Sequence, residues 1–282
     1  MKRLIATYLF AVTVCFAMFE EQAEPARALG MGNAVVAAGR DVSAVPFNPA
    51  ILAGVERYSI SGTYSSRWSL EGFTEYSSAI SIPTPVANFA LLWHERSVSG
   101  VYSERTASLA FARKIVGALD GGFTGKVFIA EAPGAELWAD PAYKGAVYAL
   151  CADVGLRYAH SERWKFAIST RSMGEPEIAM LETTDSPDSP GGQVAFGAEW
   201  MIVEDLILAG DIVSEEGNLH KWSPRAGMEV KFFDVLAVRA GAKGQRISMG
   251  AGIETDYWAF DVALTNHRWL GNIYRFTLTM QY

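Results

Sequence analysis

The feature that most constrains this chain is a period-two alternation in which one face is bulky and apolar while the other is small or charged. In the final stretch, Tyr274, Phe276, Leu278, Met280 and Tyr282 share one parity, and Ile273, Arg275, Thr277, Thr279 and Gln281 share the other. Just upstream, Trp258, Phe260, Val262 and Leu264 oppose Ala259, Asp261, Ala263 and Thr265. Val194, Phe196, Ala198 and Trp200 oppose Ala195, Gly197 and Glu199. Around Cys151, Tyr148, Leu150, Ala152, Val154, Leu156 and Tyr158 oppose Ala149, Cys151, Asp153, Gly155 and Arg157. This period belongs to β-strands, whose successive side chains point to opposite faces. Soluble sheets alternate too, but their inner face must be filled by large apolar residues at close-packed density. Here the smaller face repeats Gly and Ala between charges of both signs. That content suits a wide polar or plugged lumen, with the bulky face turned to lipid. Trp164, Trp200, Phe232, Trp258 and Tyr282 fall near strand ends, where interfacial aromatics belong.

The pattern predicts an all-β fold: a closed antiparallel transmembrane β-barrel of about 14 strands, with a short N-terminal plug segment. Strands are expected near 55–68, 70–82, 86–95, 104–115, 117–130, 146–160 and 162–173. The second half is expected near 192–202, 204–214, 221–232, 234–244, 246–255, 257–266 and 271–282. Connection lengths alternate. Short turns at Ser81–Thr84, Val116–Ala118, Ser161–Glu162, Val203–Glu204, Phe233–Asp234 and Thr255–Asp256 suit a periplasmic end. The longest connections, Glu131–Gly145, Met173–Gly191 and Ser214–Lys221, suit the extracellular end. Closure follows because an open sheet edge in hydrocarbon leaves backbone groups without partners.

Residues 1–23 read as a secretory signal, with Lys2 and Arg3 before the apolar run Leu4–Phe19 and cleavage expected between 17 and 26. Residues 24–54, rich in Ala, Gly and Val, are expected to form a plug-like segment, the alternative being a periplasmic arm that never enters the lumen, and 55–282 the barrel. These features place the chain in the bacterial outer membrane, with membrane lipid as a partner. The net charge of −7 leaves no basic footprint for nucleic acid. Cys151 is the one cysteine beyond the signal-like segment, which excludes a disulfide within 24–282 and reads as a small strand residue.

No constellation of nucleophile, base and orienting group appears, so the chain reads as non-enzymatic and without a cofactor or metal. His94, His160, His220 and His267 lack ligand spacing and read as solvated residues at loops or strand ends. The inward parity collects Asp153, Arg157, Lys165, Arg171, Glu199, Asp211, Arg225, Glu229, Lys231, Arg239, Glu254, Asp261 and Arg275. Because unpaired charges in a confined space are costly, most of these should pair, either lining a polar path or anchoring a plug. In the long connections Trp138, Tyr143, Met180 and Leu181 lie among Glu131, Glu136, Asp140, Glu182, Asp185 and Asp188. They suit either an exposed binding surface or a lid folded over the mouth.

The segment from Ala26 to Ala38, containing Arg27 and Gly30-Met31-Gly32, resembles the start of the PorV/PorQ family of outer-membrane proteins. Its continuation carries that family's pattern in Asp41, Ser43-Ala44 and Asn48-Pro49-Ala50. The Asn-Pro-Ala feature is similar to that of the FadL-like transporters, whose barrels are fourteen-stranded. Physically, the Gly pair permits close backbone approach, Asp41 or Ser43 can cap a short helix, and Asn48-Pro49 turns the chain toward the first strand. The PorV/PorQ resemblance implies a barrel that docks or escorts exported protein, with secretion components or cargo as partners. The FadL-like resemblance implies instead a channel for long-chain fatty acids or other hydrophobic small molecules. The outward row Tyr274, Phe276, Leu278, Met280 and Tyr282 on the last strand is the expected signal for the barrel-assembly machinery. The secretion reading is placed first, the uptake reading second.

Overall fold

The computed structural model describes residues 19, 24–67, 72–137, 141–183, 187–215, 217–267 and 271–282. Fourteen strands form one closed antiparallel barrel, each bonded to its sequence neighbours and the last to the first. They are β1 (Ser59–Arg67), β2 (Phe73–Ile82), β3 (Asn88–Val98), β4 (Tyr102–Val116), β5 (Leu119–Glu131), β6 (Val147–Ala159) and β7 (Trp164–Met173). Then follow β8 (Gln193–Val203), β9 (Leu206–Glu215), β10 (Asn218–Phe232), β11 (Leu236–Lys243), β12 (Arg246–Glu254), β13 (Trp258–His267) and β14 (Gly271–Gln281). A short helix α1 (Ala26–Gly30) and two 3₁₀ turns (Val42–Ala44, Pro49–Gly54) precede them, and α2 (Pro133–Leu137) lies between β5 and β6. No helix among the described residues is long and apolar enough to cross a membrane.

Every strand expected from the alternation is present, and the seam is continuous from Ser59 opposite Gln281 to Arg67 opposite Ile273. The faces also divide as expected: Arg275 is 1% exposed, whereas its neighbour Phe276 is 41% exposed. An outer surface of this kind in water would be one enormous apolar patch; in a bilayer it is the lipid contact. Trp164 stacks on Trp200 across β7 and β8 with centroids 5.2 Å apart, within the aromatic rim.

The start of β1 at Ser59 and the end of β14 at Gln281 lie together at the end of the barrel that carries the short turns, which is the periplasmic end by the rule for outer-membrane barrels. One expected loop is corrected. Ser214–Lys221 is not a long connection, because β9 runs to Glu215 and β10 begins at Asn218. The alternation is lost there through a register shift between Asn218 and Trp222, so the hairpin continues past the point where periodicity fades. The other two long connections are real, and the second folds inward: Ile178 is buried against Phe128, Ala149 and Cys151, with Met180 packed at its edge. Leu181 stays more than a third exposed. Trp138, Asp140 and Asp185 lie outside the described residues, as does the signal-like segment apart from Phe19.

Candidate functional site

The inner face of the barrel is occupied along most of its height by residues 24–54. Backbone meets backbone where the strands carry glycine. A Cβ at Gly227 or Gly241 would overlap the Met31–Gly32 backbone, one at Gly197 would meet Val36, and one at Gly122 would meet Pro49. Gly30 rests on Gly250, and a Cβ at Gly155 would strike the Asn48 amide. The small residues of the inward face therefore form a seat for this segment, which is why they recur without leaving voids.

The motif residues are used in that seat. Gly32 has a positive φ of 62°, and its N–H donates to Ser248 Oγ at 3.1 Å. Met31 is fully buried among Ala28, Val35, Phe47 and Ala209. Asp41 caps the first 3₁₀ turn by accepting from the Ser43 N–H at 2.7 Å. Asn48 caps the second through the Ala50 N–H at 2.9 Å, and its own Nδ2 donates to Val36 O (2.9 Å) and Leu156 O (3.3 Å). Pro49 is buried at the first position of that turn.

Ion pairs lock the segment to the wall. Glu229 of β10 holds Arg27 (Nε 2.9 Å), Arg40 (3.2 Å) and Arg239 (2.6 Å), and Arg239 bridges on to Asp261. Arg275 bonds both the carboxylate and the carbonyl of Glu24 and reaches toward Glu75 at 3.8 Å. Asp211 accepts from the Val36 N–H at 3.0 Å and faces Arg225 across β9 and β10. Arg157 pairs with Asp120 at 3.0 Å and also reaches Gly39 O. Lys165 pairs with Glu199 at 2.6 Å, and Asp153 with Lys126 at 2.5 Å. Arg171 meets Gln193 and lies 5.8 Å from the Phe47 ring. Glu254, half-buried, pairs with Lys231 at the periplasmic rim at 2.6 Å.

Sequence reasoning missed the charges of the first strands. Arg67, Glu75 and Glu104, all buried, form a cluster with the half-buried Arg96 and with Arg275, and Lys126 and Asp120 complete pairs on β5. Their parity matches the small face, opposite Tyr64, Tyr76 and Phe123, and was the available signal. His94 is corrected: it is no solvated residue but lies buried on β3, with Nε2 3.8 Å from Glu75. His160 and His220 are exposed. Among the described residues, no group of His, Cys, Asp and Glu could hold a metal ion.

A string of hollows runs beside the packed segment. Near the extracellular mouth, about 20 Å³ lies between Lys243, Arg246, Glu24 and Arg275. Glu24 and Arg275 also border a hollow of about 10 Å³ that extends to Thr63, Ser77 and His94. Those last three residues line an inner cavity of about 30 Å³, closed on the lumen side by Ser43, Val45 and Pro46. The same cavity touches Ser78, Ala79, Leu92, Trp93 and Ser108 of the wall. These five residues also border a groove of about 430 Å³ on the membrane face, completed by Ile80, Leu91, Leu109 and Val127 beside the small Ala107 and Gly125. The ladder from β2 to β4 is unbroken, so the wall between cavity and groove is thin but closed.

No family model and no curated protein matches the chain by sequence. Solved structures do match its shape. Two crystal structures of the Pseudomonas putida toluene transporter TodX superpose with TM-scores of 0.60 and 0.63 at 12% and 11% identity, covering 94% and 92% of this chain and 98% and 99% of theirs. A Pseudomonas aeruginosa FadL homologue superposes with a TM-score of 0.61 at 11% identity, over 95% of this chain and 99% of its own. The fold is that of the FadL-type outer-membrane channels. With its lipid-facing belt and closed ladder, this FadL-like barrel resides in the outer membrane.

Proposed function

We propose that this FadL-like barrel takes up hydrophobic small molecules and releases them sideways into the membrane, with residues 24–54 as its plug. The observation that carries the reading is the string of hollows, which starts at the extracellular mouth and ends on either side of a thin wall at Ser78, Leu92 and Ser108. A lateral exit suits a ligand that prefers lipid to water. The inner cavity holds only two or three waters' volume, so passage requires movement of Ser43–Pro46 or of the wall. The solved channels of like fold include a toluene transporter, which supports the same class of cargo.

The secretion reading draws on the N-terminal motif, but here Gly30, Met31, Asn48 and Pro49 are buried inside the barrel and offer no docking surface. The outward row Tyr274 to Met280 remains on the last strand for the assembly machinery to read. The test is Ser108→Phe, which fills the shared wall position from the inside. Uptake of a labelled hydrophobic compound by cells expressing the protein should fall at least tenfold, while the heat-modifiable mobility of a folded barrel persists. Undiminished uptake would defeat the proposal.

A further inference from the structure

We infer that the inner cavity selects uncharged ligands carrying a hydroxyl or similar polar end, and that Asp153 is the residue that excludes carboxylates; the inference rests on the uptake reading. Lys126 and Asp153 both line the cavity. Lys126 Nζ lies 2.5 Å from Asp153 Oδ2, with the two side chains 2% and 0% exposed. Asp153 is held from the other side as well, since Oδ1 accepts the Ser172 N–H at 2.8 Å where β7 shifts register against β6. The carboxylate therefore cannot swing away to make room for another. A lone buried ammonium would draw an anionic ligand, but this one is already neutralised. An incoming carboxylate would instead lose its hydration and meet Asp153 as a like charge.

The rest of the lining is suited to a neutral polar group. Thr106 and Thr124 are buried, border the cavity, and their hydroxyls have no hydrogen-bond partner within the chain. His94 adds a third unpartnered atom, Nδ1, at the same cavity. Buried polar groups left without partners are costly, and a ligand hydroxyl that donates and accepts would satisfy them. Once Ser43–Pro46 has moved to admit a ligand, Ala79 and Leu92 of the wall supply the apolar contact for its body.

The test is equilibrium dialysis of the detergent-folded barrel at pH 8 with two skeleton-matched pairs, benzyl alcohol against benzoate and dodecanol against dodecanoate. For whichever skeleton binds, the alcohol should bind at least about tenfold tighter than the acid, or about 1.4 kcal/mol. Asp153→Asn keeps an acceptor for Ser172 but removes the negative charge that faces Lys126, and should bring the acid's affinity up to or above the alcohol's. Thr106→Val with Thr124→Val should weaken the alcohol about tenfold and leave toluene unchanged. Equal binding of acid and alcohol to the unaltered barrel overturns the selectivity and leaves the uptake reading standing. Binding of none of the four probes defeats the uptake reading and this inference together. Should Asp153→Asn fail to fold, the ratio in the unaltered barrel and the threonine pair decide the matter.

Discussion

Across the lumen, the wall from β8 to β12 and the wall from β1 to β4 meet the N-terminal segment on different terms. The first presents glycine at 197, 227, 241 and 250, so backbone lies on backbone, and Glu229 gathers three arginines around the contact. The second presents hydroxyls, with Ser61 bonded to Thr279 and Thr63 to Thr277 across the seam, and leaves the cavity at Ser77, Thr106 and Ser108. Nearer the periplasm even that side closes, as Val42, Val45, Leu52 and Val55 pack on Ala79, Ala90, Ala110 and Ala112. The segment is thus gripped on one side and loosely bordered on the other, which is the asymmetry the proposed uptake path would need if residues 24–54 act as a plug.

The sharpest way to break this contrast is Glu229→Gln, which leaves Arg27, Arg40 and Arg239 without their shared carboxylate. Removing one partner of such a buried network costs about 3–5 kcal/mol. The loss should appear in guanidinium unfolding of the detergent-folded protein, and a change under about 1 kcal/mol would mean that charge does not supply the grip. Next in size is Gly241→Val, whose side chain would collide with the Met31–Gly32 backbone. Overpacking of this kind costs about 1–3 kcal/mol, and protease should then reach residues 24–54. Its control is Gly62→Val on the outer face of β1, where a Cβ meets open space and stability should hold within about 0.5 kcal/mol. If both glycines tolerate valine alike, the seat is not shaped by glycine. On the loose side, Ser61→Ala forfeits its 3.0 Å bond to Thr279 and should cost only about 0.5–1.5 kcal/mol. A larger loss there would erase the difference between the two walls.

Much of this was legible in the chain. Strand faces are local: Phe276 and Arg275 are assigned by parity with no knowledge of partners, and the structure divides them that way. The caps at Asp41 and Asn48 are local too, each bonding a backbone N–H two residues on. His94 and the Arg67–Glu75 cluster escaped because the alternation in the early strands is diluted by serine, so inward parity there did not stand out. The long hairpin at Asn218 escaped because its register shift breaks the period that periodicity reasoning follows.

The sequence by itself determined a lipid-facing barrel of about fourteen strands and a small-residue segment before it, because side-chain parity and turn chemistry act over a few residues. Only the tertiary structure decided which glycines seat that segment, that Glu24 reaches Arg275 across 251 positions, and that the hollows line up toward Ser108. Those facts depend on strand register and on how one backbone lies against another, and two residues far apart in the chain carry no local mark of meeting.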